Sequence, residues 1–138
     1  HFPDELALFE ACTAHWLAGQ VPPDPSVWAG IEDPAERLRT GLADAYRFYR
    51  EGEAMLTLVH RDWDFLPEEH RGRVAAADAE MRDVLLAPFR ARGARRRRLR
   101  AIIGHAIAFP TWRSLCVENA LSDREAVDAM VALVLAAA

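Results

Sequence analysis

Asp33-Pro34-Ala35-Glu36-Arg37-Leu38, running on through Leu42, Ala45, Tyr46 and Tyr49 to Gly52, decides the fold class. The short carboxylate of Asp33 can accept a first-turn amide, Pro34 suits N1, where no amide donor is needed, and Glu36 at N3 can close a capping box. Leu38, Leu42, Ala45, Tyr46 and Tyr49 then recur at spacings that line one face of an α-helix. Gly52 is a stop signal.

The same pattern repeats on both sides. Upstream, Asp4 can cap a helix whose stripe is Leu6, Phe9, Thr13, Trp16 and Leu17; Gly19, Pro22, Pro23 and Pro25 end it. Trp28, alone among the prolines, should dock on the core. Downstream, a short helix from Glu53 to Trp63 carries Met55, Leu58, Val59 and Trp63. Leu66-Pro67-Glu68-Glu69 opens a longer one, with Pro67 at N1 and acids at the positive end of the helix dipole. Its stripe is Val74, Ala77, Met81, Val84 and Leu85, and Pro88 and Gly93 close it. A helix from Arg95 to Val117 follows, kinked where Pro110 removes the donor to Ala106. Ser122-Asp123-Arg124-Glu125 is a capping box that opens the last helix, through Val127, Met130, Val131 and Val134. The last two helices are apolar on several faces, which calls for burial in a core or against a second chain. The expectation is an all-α bundle of about six helices in one domain over residues 1–138.

Hydrophobic residues make up 51% of the 138, enough for a folded core. The net charge is −4, although all 17 basic residues are Arg; the chain as a whole lacks the basic surface that nucleic-acid binding needs. No stretch is apolar and long enough to span a membrane, and no signal peptide opens the chain. Cys12 and Cys116 form no disulfide framework and read as two buried thiols of a cytoplasmic protein.

Four segments, in order, resemble the C-terminal domain of TetR-family (tetracycline-repressor-like) transcriptional regulators. They are His1-Phe2-Pro3-Asp4-Glu5-Leu6; Asp33 to Leu38 with Tyr46-Arg47-Phe48-Tyr49-Arg50-Glu51; Phe109-Pro110-Thr111-Trp112-Arg113-Ser114-Leu115; and Leu121-Ser122-Asp123-Arg124-Glu125-Ala126-Val127. The resemblance implies a ligand cavity among the earlier helices. It also implies a homodimer in which the last two helices form a four-helix bundle with their partners. Operator DNA would be read only by a helix-turn-helix ahead of His1, through a shift of the first helix when ligand binds.

Trp16, Tyr49, Met55, Trp63, Met81, Leu85, His105, Phe109 and Trp112 are the candidate pocket residues. Each alone can simply fill a core; together, wide rings and flexible Met side chains suit an adaptable cavity for a small apolar or aromatic effector. His105, with Phe109, Trp112 and Cys116 following on its face, is either a satisfied core histidine or a polar anchor, with Tyr49 as a second. Ile103, Ala106, Arg113, Val117, Val127, Met130 and Val134 are assigned to the dimer face by helical spacing. The run Arg95-Arg96-Arg97-Arg98 with Arg100 points all round its helix and reads as a solvated helix start paired with nearby acids.

No enzyme, metal or cofactor is expected. Cys12 and His15 share a helix face but lack further ligands at fitting spacing. His60, Asp62, Asp64 and His70 cluster at a helix end, where short polar residues also collect for structural reasons. There is no phosphate loop or nucleophile elbow. The alternative functions are a free-standing helical ligand-binding or scaffold module and, more remotely, a small metal-dependent enzyme around His60 and His70.

Overall fold

The computed structural model describes residues 5–138, the side chain of residue 6 excepted. The expected opening turn, the Asp4 cap and the side chain of Leu6 lie outside the described residues.

The described chain is all-helical: α1 (Glu5–Ala18), α2 (Pro25–Trp28), α3 (Pro34–Glu51), α4 (Glu53–Arg61), α5 (Glu68–Leu86), α6 (Gly93–Ile107), α7 (Phe109–Trp112) and α8 (Asp123–Ala137). A 3-10 turn, Trp63–Phe65, precedes α5, and a π-helical turn, Arg113–Glu118, prolongs α7. The expected six correspond to the longer helices; α2 and α7 are single turns. None of the helices is long and apolar enough to cross a membrane among the described residues.

Helix α3 is the axis. Asp33 accepts from the Glu36 amide at 2.9 Å, Pro34 leads the first turn, and Leu38, Leu42, Ala45, Tyr46 and Tyr49 are all buried. They meet α5, α6, α7 and α8. Trp28 docks on this core almost fully buried, its indole Nε1 donating to Asp44 at 2.9 Å. Ser122 caps α8 as expected, accepting from the Glu125 amide.

Two prolines determine how α3 is joined to its neighbours. In an α-helix the amide four residues on closes each carbonyl, and proline has none. Pro88 therefore leaves the Val84 carbonyl open at the end of α5. Arg37 fills it at 2.9 Å, and the same guanidinium donates to Ile31 and Ala29. Pro110 leaves the Ala106 carbonyl open, and the Tyr46 hydroxyl fills it at 2.5 Å. The adjacent Ile107 carbonyl takes the Tyr49 hydroxyl, and the His105 carbonyl takes Thr111 Oγ1 at 2.6 Å.

Several expectations are corrected. The helix from Arg95 to Val117 is not a single kinked rod: Ala108 is extended, α6 stops at Ile107, and Pro110 lies in the first turn of α7, where no amide donor is required. Gly93, expected to end α5, opens α6 at positive φ; α5 already ends at Leu86, just before Pro88. Pro67 takes the capping position of α5 rather than N1. Cys12 is exposed and only Cys116 is buried. Its thiol is pushed up to about 11, chiefly by burial and secondarily by Asp123. The arginine run binds carbonyls more than acids: Arg96 holds those of Phe89 and Ala91, Arg95 reaches that of Ala138, and Arg100 pairs with Asp83.

Candidate functional site

Helix α1 has no buried residue among its described side chains, and neither has α4. The two face each other across a groove rather than a sealed core. Trp16 supplies the contact: its ring edge lies 2.9 Å from where a Cβ on Gly52 would stand, and its centroid is 6.1 Å from that of Phe48. Gly52, the residue that separates α3 from α4, thus admits the indole by having no side chain.

The groove is shallow, with a volume of about 630 Å³, and is lined by Ala11, Cys12, His15, Trp16, Gly19 and Met55. That volume falls within the range of about 300–1,000 Å³ typical of small-molecule sites. Its walls are mainly apolar, and it lies largely open to solvent. Of the nine candidate pocket residues, it brings together Trp16 and Met55. Cys12 and His15 enter the sequence reading as a ligand pair and Gly19 as a helix stop, none of them as pocket wall, and Ala11 carries no signal in sequence.

The other candidates occupy different surroundings. Tyr49, Phe109 and Trp112 form one ring cluster, with centroids 5.5 Å apart for Tyr49 and Phe109 and 5.7 Å for Phe109 and Trp112. All three are buried, and their polar atoms are already engaged. Trp112 Nε1 donates to Asp123 at 3.0 Å, and Asp123 also receives Arg50 Nε and Nη2. Arg50 lies over the Trp112 ring, 5.4 Å from its centroid. Burial raises the Asp123 carboxyl, but the hydrogen bonds from Arg50 and Trp112 outweigh it and hold the group below its ordinary value. Leu85 and Met81 are packed in the core, Leu85 against Gly41. These residues are core rather than pocket wall.

His105 is corrected too. Because the chain turns at Ala108, His105 stays exposed while Phe109, Trp112 and Cys116 turn inward, so they share no face. Trp63 is half-buried and stacks on His60, whose ring lies 4.9 Å from Phe109. His60, Asp62, Asp64 and His70 do not converge: Asp62 pairs with Arg61 at 2.8 Å, and His70 sits under α1, edge-on to Phe9 at 4.9 Å. Among the described residues no group of three or more His, Cys, Asp or Glu side chains is placed to hold a metal ion.

Of the seven residues assigned to the dimer face, Ile103, Ala106, Val127 and Val134 are buried within the chain's own core and present no surface. Helical spacing identified a buried stripe but not which body covers it. Arg113 pairs with Glu118 at 3.0 Å, Met130 is half-buried, and Val117 is exposed. The exposed apolar residues of α8 are instead Ala129, Ala132 and Ala136, with Leu133 and Leu135 on opposite flanks of them.

Comparison with protein-family models, with curated proteins and with solved structures found no match to this chain.

Proposed function

We propose that this chain is the effector-sensing and dimerising domain of a TetR-like transcriptional regulator, with the groove between α1 and α4 as the effector site. The observation that carries the reading is that a groove of small-molecule size is walled by α1. The resemblance joins this helix to a DNA-reading head ahead of His1. Because α1 buries none of its described side chains, few packing contacts oppose its displacement. A small apolar or aromatic molecule seated against Trp16 and Met55 would bind differently to the two positions of α1. That difference in affinity is what shifts a two-state equilibrium. Such a shift would be felt as a change in operator binding by the head.

The homodimer of this reading uses the exposed side of α8, where Ala129, Ala132 and Ala136 lie between Leu133 on one flank and Leu135 on the other, each leucine about two-fifths exposed. Exposed apolar residues gathered on one helix mark an association surface.

The test is a titration of the domain with 2-naphthol, read by tryptophan fluorescence. Saturable quenching is expected, lost in Trp16→Phe and weakened in Met55→Ala. Unchanged affinity in both variants would remove the groove from the account. Sedimentation of Leu133→Glu beside the wild type tests the dimer: a wild-type dimer reduced to monomer supports it, and a monomeric wild type overturns it.

A further inference from the structure

Three soft donors line the same groove. Cys12 and His15 lie three residues apart on α1, which puts them one turn apart on one helix face, with Cβ atoms about 5–6 Å apart. Met55 reaches the groove from α4. From sequence the pair on α1 has no partner at a ligand-like spacing; the fold supplies one from 40 positions downstream of His15. The Cys12 thiol is exposed, unlike that of Cys116.

We propose that Cys12, His15 and Met55 form a three-coordinate site for a soft monovalent metal ion, Cu(I) in chemical class. Thiolate, imidazole and thioether are the ligand types that select Cu(I) over harder divalent ions, and three donors satisfy it. Zn(II) takes four ligands, and since the groove lining offers no fourth side-chain donor and no carboxylate it would have to complete its shell with water, whereas Cu(I) is satisfied by the three donors present. Oxygen-loving ions find no acidic cluster among the described residues. On binding, the Cys12 thiol gives its proton to solvent and the thiolate takes the metal, with no change in oxidation state.

The site ties α1 to α4. Two ligands come from one helix and the third from the other, so metal binding draws the two walls together. The inference rests on the groove alone and does not require that the chain belong to a DNA-binding regulator.

The test is competition for Cu(I), held reduced by ascorbate and presented as its bathocuproine disulfonate complex, whose colour falls as metal is withdrawn. The wild-type protein is expected to take one equivalent. Cys12→Ser should abolish the transfer, and His15→Ala and Met55→Leu should each weaken it tenfold or more. None of the three residues is buried, so the variants should keep the wild-type circular dichroism. No withdrawal by the wild type overturns the proposal. So does full binding in both His15→Ala and Met55→Leu, which would mean a thiol acting alone. If copper binding fails while 2-naphthol still quenches Trp16, the metal site falls and the effector groove stands; the reverse result separates them the other way.

Discussion

The Tyr49 hydroxyl donates to the Ile107 carbonyl at 2.5 Å, across 58 positions of sequence, and both groups are buried. Tyr46 does the same for Ala106 one residue earlier. Burial raises both phenols well above their ordinary value, so they stay protonated donors at any physiological pH. These two bonds make the break at Ala108 tolerable. Without them, two carbonyls at the end of α6 would face the core without a partner.

Tyr46→Phe should therefore cost about 1–3 kcal/mol, the penalty for an orphaned buried acceptor, although it removes a single oxygen. The same substitution beside Pro110→Ala should cost less. Alanine returns an amide at the position that can reach the Ala106 carbonyl if the helix extends through the break. Urea unfolding of the wild type, both single variants and the double variant gives the coupling. Strict additivity would mean that Tyr46 does not answer the proline.

Arg37 is the corresponding stitch on the other side of α3. Its guanidinium satisfies carbonyls of Ala29, Ile31 and Val84, tying α2's exit and the end of α5 to one helix. Arg37→Met keeps the apolar stem and removes all three bonds, and should lower stability by about 3 kcal/mol or more. Arg37→Lys should recover only part, because an ammonium cannot fork toward carbonyls in three directions. Equal loss in the two variants would show that the guanidinium geometry is immaterial.

How much of this was legible beforehand depends on the physical scale of each signal. Caps and stripes are local, and the α3 cap, the five-residue stripe and the Ser122 cap all appear in the structure. Pro110 announced a disturbance but not its extent, because whether a helix bends or stops depends on what receives the freed carbonyls. Here the receivers are Tyr46 and Tyr49, some sixty positions away. Spacing also marked Ile103, Ala106, Val127 and Val134 as apolar without saying that this same chain would cover them. The groove was the least legible feature. It depends on the absence of a side chain at Gly52, and although most of its wall is one stretch of α1 and the glycine after it, nothing local in the sequence says that Met55 of α4 comes to face them.

Gly41 and Gly72 make a matched pair on α3 and α5. A Cβ on Gly41 would stand 2.6 Å from Leu85 Cδ2 and 2.9 Å from Trp28 Cε3, while one on Gly72 would meet nothing within 4 Å. Gly41→Ala should destabilise by about 1–3 kcal/mol through overpacking. Gly72→Ala should stabilise by about 0.5–1 kcal/mol, since it stiffens the unfolded chain and suits a helix interior. Thermal melts of the two variants should move in opposite directions; a shared direction would contradict the close approach of α2, α3 and α5.

His70 gives the fold a pH dependence whose sign follows from its surroundings. The residue is 8% exposed, and neither ring nitrogen has a hydrogen-bond partner. Burial, with Arg73 adding to it, holds its pKa below the ordinary 6.5. Above 6.5 the group is neutral in both states and contributes no slope. As pH falls below that value the unfolded chain takes a proton that the folded chain refuses, so stability declines toward the folded-state pKa. Asp123 acts in the same direction in a lower window. Its pKa is below the ordinary 3.8, so its contribution is present above that value and is lost as pH falls through the lower one. Because Phe9 of α1 lies edge-on to the imidazole, α1 should loosen first in mild acid. Unfolding free energy at about pH 7.5 and about pH 5.5 should differ in the wild type and much less in His70→Phe, which keeps an aromatic partner for Phe9 without a titrating group. Hydrogen exchange should place the acid-sensitive opening in α1. A slope that survives His70→Phe would assign it to another group and leave α1 docked by apolar contact alone.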